Sequence, residues 1–197
     1  MLALLGIGLT TALVAPISAD AGAAKPTLAQ ILLSDSKKDA ANGFDHNPND
    51  FDIVTQALLL FPDLVDAASK PGKLTVFLPT DFAFRRLVKD LTGKVVFKES
   101  DVFKAVASLG TDTVKAVLTY HIIAGAKINY VGALAANGAS VTTLNGATIK
   151  VQVKHGWKVF LNDKDPDLKD PKVIVADIQA SNGIAHVIDR VLLPINA

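Results

Sequence analysis

The stretch SNGIAHVIDRVLLP, residues 181–194, puts apolar side chains on both faces of one extended segment, Ile184 and Ile188 on one and Ala185 and Val187 on the other. A strand with one face in water alternates apolar with polar residues, whereas a strand covered on both faces reads as a near-continuous apolar run. The chain therefore has to close two layers over this segment. The residues before it must supply them.

Those residues divide into a helical half and a strand-rich half. In DFDIVTQALLLF (50–61), Ile53, Ala57, Leu60 and Phe61 recur at helical spacing, with Asp50 or Asp52 available as cap. Pro62 suits the first turn of a second short helix over 63–68, where its missing N–H has no intrahelical partner. Residues 74–78 form a β-rich run stopped by Pro79, and Thr80 or Asp81 then caps a helix carrying Phe84, Leu87, Val88 and Leu91, closed by Gly93. Two further helices are expected, one from Ser100 or Asp101 to Leu109 and one from Asp112 through Val114, Val117 and Leu118. From residue 119 the pattern is that of strands: TYHII, SVTTL, TIKVQV, WKVFLN, VIVADIQA and the closing segment, interrupted by a short helical VGALAANG. Asn145-Gly146 and His155-Gly156 mark the turns. No regular βαβ alternation exists, so the expected class is α+β.

Half of the 197 residues are hydrophobic and 20% are charged, enough apolar surface to offset the entropy of ordering one domain. Residues 1–19 contain no charged side chain and give way to Asp20 and small residues, while the apolar run 2–14 is short of the ~20 residues that span a bilayer. This reads as a secretory signal. We expect a signal peptide over 1–23, an N-terminal extension and polar loop over 24–50, and the folded domain over 51–197. The chain has no cysteine, so outside the cytoplasm its stability rests on packing. A net charge of +1 steers nothing strongly, and Arg85, Arg86, Lys89 and Lys94 read as a solvated helix face, not a nucleic-acid site.

Three pieces stand in order: TVFLPTDFAFRRL (75–87), Tyr120-His121 within VLTYHIIAGA, and SNGIAHVIDRVLLP. Together they resemble a fasciclin domain. The first is similar to that family's opening box, the second to its Tyr-His pair, the third to its closing box with Asn182, His186 and Asp189. The resemblance covers about residues 51–195. It implies an α+β fold with a β-wedge of two small sheets and helices packed along it. It also implies a secreted, non-enzymatic adhesion or binding module, without cofactor, that recognises a cell-surface or matrix polysaccharide or a protein. A structural module that assembles with itself or with another exported protein is the alternative. No nucleic acid and no stable membrane insertion of the mature chain are expected.

The residues refine this expectation. Thr80 and Asp81 read as strand stop and helix cap, because short polar side chains suit caps by local hydrogen bonding alone. Tyr120 and His121, adjacent on an expected strand, point to opposite faces. Either both are buried with their polar tips satisfied, or they present an aromatic and a titratable group to a partner. His186 and Asp189, three apart on a strand, also face opposite ways, which favours separate buried hydrogen bonds that fix the strand's register. No G-x-S-x-G, H-E-x-x-H, phosphate loop or cysteine nucleophile is present. Asp163, Asp165 and Asp167 alternate as in a calcium loop, but Leu168 replaces the glycine and Ile174 the glutamate. Asp45, His46, Asp50 and Asp52 could gather a hard cation and read as a polar loop with helix caps. No metal ligand set is expected.

Overall fold

The computed structural model describes residues 24–35 and 43–195. The signal-peptide reading of 1–23 lies outside the described residues. Within the expected N-terminal extension stands a helix, α1 (Leu28–Asp35), with Leu28, Ala29 and Leu32 buried. Its start is a reciprocal capping box: the Gln30 N–H donates to Thr27 Oγ1 at 3.2 Å and the Thr27 N–H to Gln30 Oε1 at 2.9 Å. Thr27, Gln30 and the Leu28, Ile31, Leu32 spacing carried this signal in the sequence.

The helical half continues with α2 (Asp52–Leu59) and α3 (Pro62–Ser69), then β1 (Leu74–Pro79), α4 (Asp81–Thr92), α5 (Glu99–Ala107) and α6 (Thr111–Tyr120). Gly93 ends α4 at φ 71°, a left-handed conformation that a side chain resists. After β2 (Ile122–Ala124) come α7 (Tyr130–Ala135), β3 (Ser140–Thr142), β4 (Thr148–Lys154), β5 (Lys158–Asn162), β6 (Val173–Gln179) and β7 (Gly183–Ile188). One sheet has the order β2-β1-β7-β6 and the other β3-β4-β5.

β7 runs parallel to β1, pairing Gly183 with Leu74 through Ile188 with Pro79, and antiparallel to β6. All of its residues are buried. Ala185 packs with Val76, Leu78 and the helices, while Ile188 packs with Phe77 and with Ile149, Val151, Val159 and Leu161 of the second sheet. The two-faced apolar segment thus lies between two cores. Its apolar tail, Val191 to Leu193, leaves the strand and remains buried as cover.

The segment TYHII departs from its expected form. Helix α6 runs through Tyr120, His121 is its C-cap, and only Ile122 starts the strand. The helical period of Val114, Val117 and Leu118 persists one turn further, and Thr119 Oγ1 donates to Lys115 O at 2.8 Å along the helix. Tyr120 and His121 therefore do not alternate across a sheet.

Candidate functional site

The Pro-Thr-Asp corner turns the chain from β1 into α4. Thr80 is the N-cap, extended at φ −70° and ψ 164°, and its Oγ1 accepts from the Ala83 N–H at 3.3 Å. A Thr80→Ala variant is expected to lose about 1 kcal/mol, read by urea unfolding. Asp81 reaches further. Its Oδ1 accepts from the Ile53 N–H at 2.9 Å, so it caps α2 across the core, and its own N–H donates to Asp50 O at 3.0 Å.

Around this corner Asp50, Asp52, Asp81 and Glu99 are all buried. The Arg85 guanidinium lies 2.8 Å from Glu99 Oε1, Glu99 Oε2 accepts from the His46 N–H at 2.8 Å, and Asp52 Oδ2 accepts from the Asp45 N–H at 3.0 Å. Burial pushes the Asp81 carboxyl up to about 9, against the Ile53 hydrogen bond and with help from Asp50 and Glu99. Burial, opposed by a hydrogen bond with the Asp81 side chain and helped by Asp52 and Asp45, pushes Asp50 up to about 7.

A raised carboxyl pKa means that the folded chain holds a proton the unfolded chain releases. Its contribution is complete below the unfolded value near 4 and is lost as pH rises through the folded value. With a chelator present, the melting temperature should fall from about pH 7 to about pH 9, the part of the window that belongs to Asp81 alone. Asp81→Asn keeps the acceptor for Ile53 and carries no charge, so it should abolish that fall. Parallel melting curves for the two proteins would rule the assignment out.

Tyr120 and His121 come together as buried anchors. Tyr120 is 0% exposed and its Oη donates to Thr148 O at 2.9 Å, tying α6 to β4; burial, then the Asp163 charge, raises its pKa. His121 Nδ1–H donates to Val117 O at 2.7 Å, and Nε2 accepts from the Leu192 N–H at 3.0 Å. Both ring nitrogens are used by a neutral imidazole, and burial lowers its pKa to about 4. Neither side chain is presented at the surface.

The closing box is held by separate bonds. Asn182 Oδ1 accepts from the Leu28 N–H at 2.9 Å, and Nδ2 donates to Ala68 O at 2.6 Å and Lys70 O at 3.1 Å. His186 Nε2–H donates to Ile128 O at 2.8 Å while Nδ1 accepts from the Asp177 N–H at 3.3 Å, beside the irregular register of β6 where Asp177 has φ 64°. Asp189, just beyond β7, accepts from the Lys172 N–H at 2.8 Å and from Arg86 at 3.3 Å. In the 162–171 loop, Asp163 and Asp165 take up the N–H groups of Asp165, Asp167, Leu168 and Leu193.

The surface feature that sequence reasoning missed is a cleft of about 350 Å³ between α4 and the 95–97 segment. Phe97 is 76% exposed, Val95 57% and Phe82 45%. The Arg86 guanidinium stacks 4.4 Å over the Phe82 ring. The expected solvated face is partly tied down: Arg85 pairs with Glu99, Arg86 with Asp189, and the neighbouring Arg190 with Asp90. Lys89 makes no ion pair among the described residues. The available signal was the apolar run Val95, Val96, Phe97, which lies between two helices and belongs to neither. A second space, an apolar cavity of about 400 Å³, is walled by Val54, Leu87, Val106, Val114, Leu118 and Leu193. Leu109 and Ile195, both exposed, also line it, so it opens to solvent.

Strand-corner-helix, buried Tyr-His anchor and two-faced closing strand define a class of domain, and a match to the Fasciclin domain model over residues 50–194 agrees with it. The chain belongs to the fasciclin domain family. Protein sll1483 of Synechocystis sp. is 36% identical over 132 residues, covering 67% of this chain and 61% of that protein. Human periostin is 28% identical over 140 residues, covering 70% of this chain and 14% of periostin. This chain thus matches only part of these relatives' length. The structure of a FAS1 domain pair from the insect cell adhesion molecule fasciclin I shares the fold, with TM-score 0.61 at 18% identity, over 86% of this chain and 51% of that one. Among the described residues no helix is long and apolar enough to cross a membrane.

Proposed function

We propose that the chain is an exported, non-enzymatic binding module that takes a cell-surface or matrix partner, a protein or a polysaccharide, on the cleft between α4 and residues 95–97. The observation that carries this is Phe97, an aromatic side chain 76% exposed that lines the cleft with Lys89 and the stacked Phe82–Arg86 pair. Exposed aromatics and arginines are the residue types that anchor interfaces, and an apolar centre rimmed by charge is their usual arrangement. Tyr120 and His121 serve the reading indirectly, by holding α6 and the β7 tail in place.

The test is saturable binding of the purified protein to washed cells of the producing organism. Phe97→Ser and Lys89→Glu are each expected to weaken it at least about tenfold with unchanged melting, the effect of removing an interface anchor. Tyr120→Phe, which removes only the Thr148 bond, should bind normally. Binding that survives both cleft variants would sink the proposal.

The cavity of about 400 Å³ favours a second reading, carriage of an apolar small molecule, because a concave, predominantly apolar space of that size is the kind of site that buries such ligands. Solvent extraction of protein purified from its own cells, followed by mass spectrometry, decides it. A stoichiometric apolar compound supports carriage, and an empty extract refutes it.

A further inference from the structure

We infer that the corner where the 45–52 loop meets the start of α4 is a calcium site, formed by the carboxylates of Asp50, Asp52 and Asp81. One carboxylate oxygen from each lies within 4.8 Å of the other two. Calcium holds its oxygen ligands at 2.3–2.6 Å, so ligands on opposite sides of the ion stand about 4.6–5.2 Å apart. The spread of the three oxygens is therefore no wider than one such ion can span.

An independent observation points into the same place. Asp50 is 9% exposed and Asp81 0%, yet no N–H or hydroxyl donor among the described residues reaches Asp50 Oδ1 or Asp81 Oδ2, and the side-chain partners of the two groups there are neighbouring carboxyls. Buried polar atoms are almost always satisfied, and carboxyl groups that face one another in place of water are held together only by a shared proton, whose place a cation can take. The Arg85 guanidinium pairs with Glu99 and makes no ion pair with these aspartates among the described residues. The neighbouring set Asp45, Asp52 and Glu99 is close enough to hold an ion as well. There, however, Glu99 is already spent on Arg85 and on the His46 N–H.

The donor set selects the ion. Carboxylates without histidine or cysteine suit hard cations. Magnesium keeps several of its waters, which a group this deeply buried leaves little room for, whereas calcium accepts irregular, carboxylate-rich cages. A bound ion would fasten the 45–52 loop to the first turns of α2 and α4.

The experiment is equilibrium dialysis of the chelator-treated wild-type protein against radioactive calcium at pH 8, with melting curves in calcium and in sodium chloride of equal ionic strength. One calcium per chain is expected, with a melting temperature about 5 °C or more higher in calcium, as saturation of a single site gives in a chain of this size. Asp50→Asn should lose both while still folding in chelator, since it removes an uncompensated charge. Asp167→Asn, in the other aspartate-rich loop, should keep both. If the wild type binds no calcium, if Asp50→Asn binds as well as the wild type, or if binding is lost in Asp167→Asn instead, the assignment is wrong. Cell binding by the cleft is read separately and does not depend on the outcome.

Discussion

An Asn182→Ala variant is expected to lose about 3–5 kcal/mol, because one buried amide serves three backbone groups and alanine serves none. The Leu28 N–H, Ala68 O and Lys70 O would all lose a partner at once, at a side chain 1% exposed. These bonds join the start of α1, the end of α3 and the entry to β7, so the loss falls on the junction of the helical layer with the central strand. The next residue tightens the same junction. A Cβ at Gly183 would stand 2.7 Å from Leu74 O, a backbone atom of the paired strand, and 2.7 Å from Leu28 Cδ1. Urea unfolding measures the effect, and a loss under about 1 kcal/mol would show that solvent replaces the amide. Hydrogen exchange should place the weakening at α1 and β7 first.

Arg85→Ala should cost a similar amount, about 3–5 kcal/mol, since removing one partner of a buried ion pair strands the other charge. Glu99 is the stranded group: its side chain is 0% exposed, against 16% for Arg85, and the two meet at 2.8 Å. The sign of a second substitution separates this from lost packing. Arg85→Ala combined with Glu99→Gln should recover most of the stability, because the amide leaves no buried charge behind. A double variant as unstable as Arg85→Ala alone would mean that the arginine stem, and not its charge, was the contribution.

How far the sequence could be read depends on what each signal encodes. The closing strand announced its two-sided burial because composition on alternating faces is a direct record of what covers them, and β7 does lie between two cores. Thr80 as N-cap was legible for the same local reason. Tyr120-His121 was misread as strand because β-rich residues at a helix end look like the start of the strand they lead into, and only the hydrogen bonds of α6 decide where the helix stops. Helix α1 was overlooked although its capping box and apolar spacing were present, since it adjoins a polar loop that dominated the composition. The acidic corner was half visible. Asp45, Asp50 and Asp52 are neighbours in sequence, but Asp81 and Glu99 join them only when α4 and α5 fold back. The cleft was invisible, because exposure of Phe97 and Val95 is a property of how α4 and its following segment lie and not of any local pattern.

The central claim, that partners meet this domain at the α4 cleft, is tested most directly by carbene footprinting of the protein bound to washed cells of the producing organism. The account predicts protection confined to Phe82, Val95, Phe97 and the adjoining face of α4, and its loss in Phe97→Ser. Labelling of these residues unchanged by binding, or protection centred on another face, would contradict it.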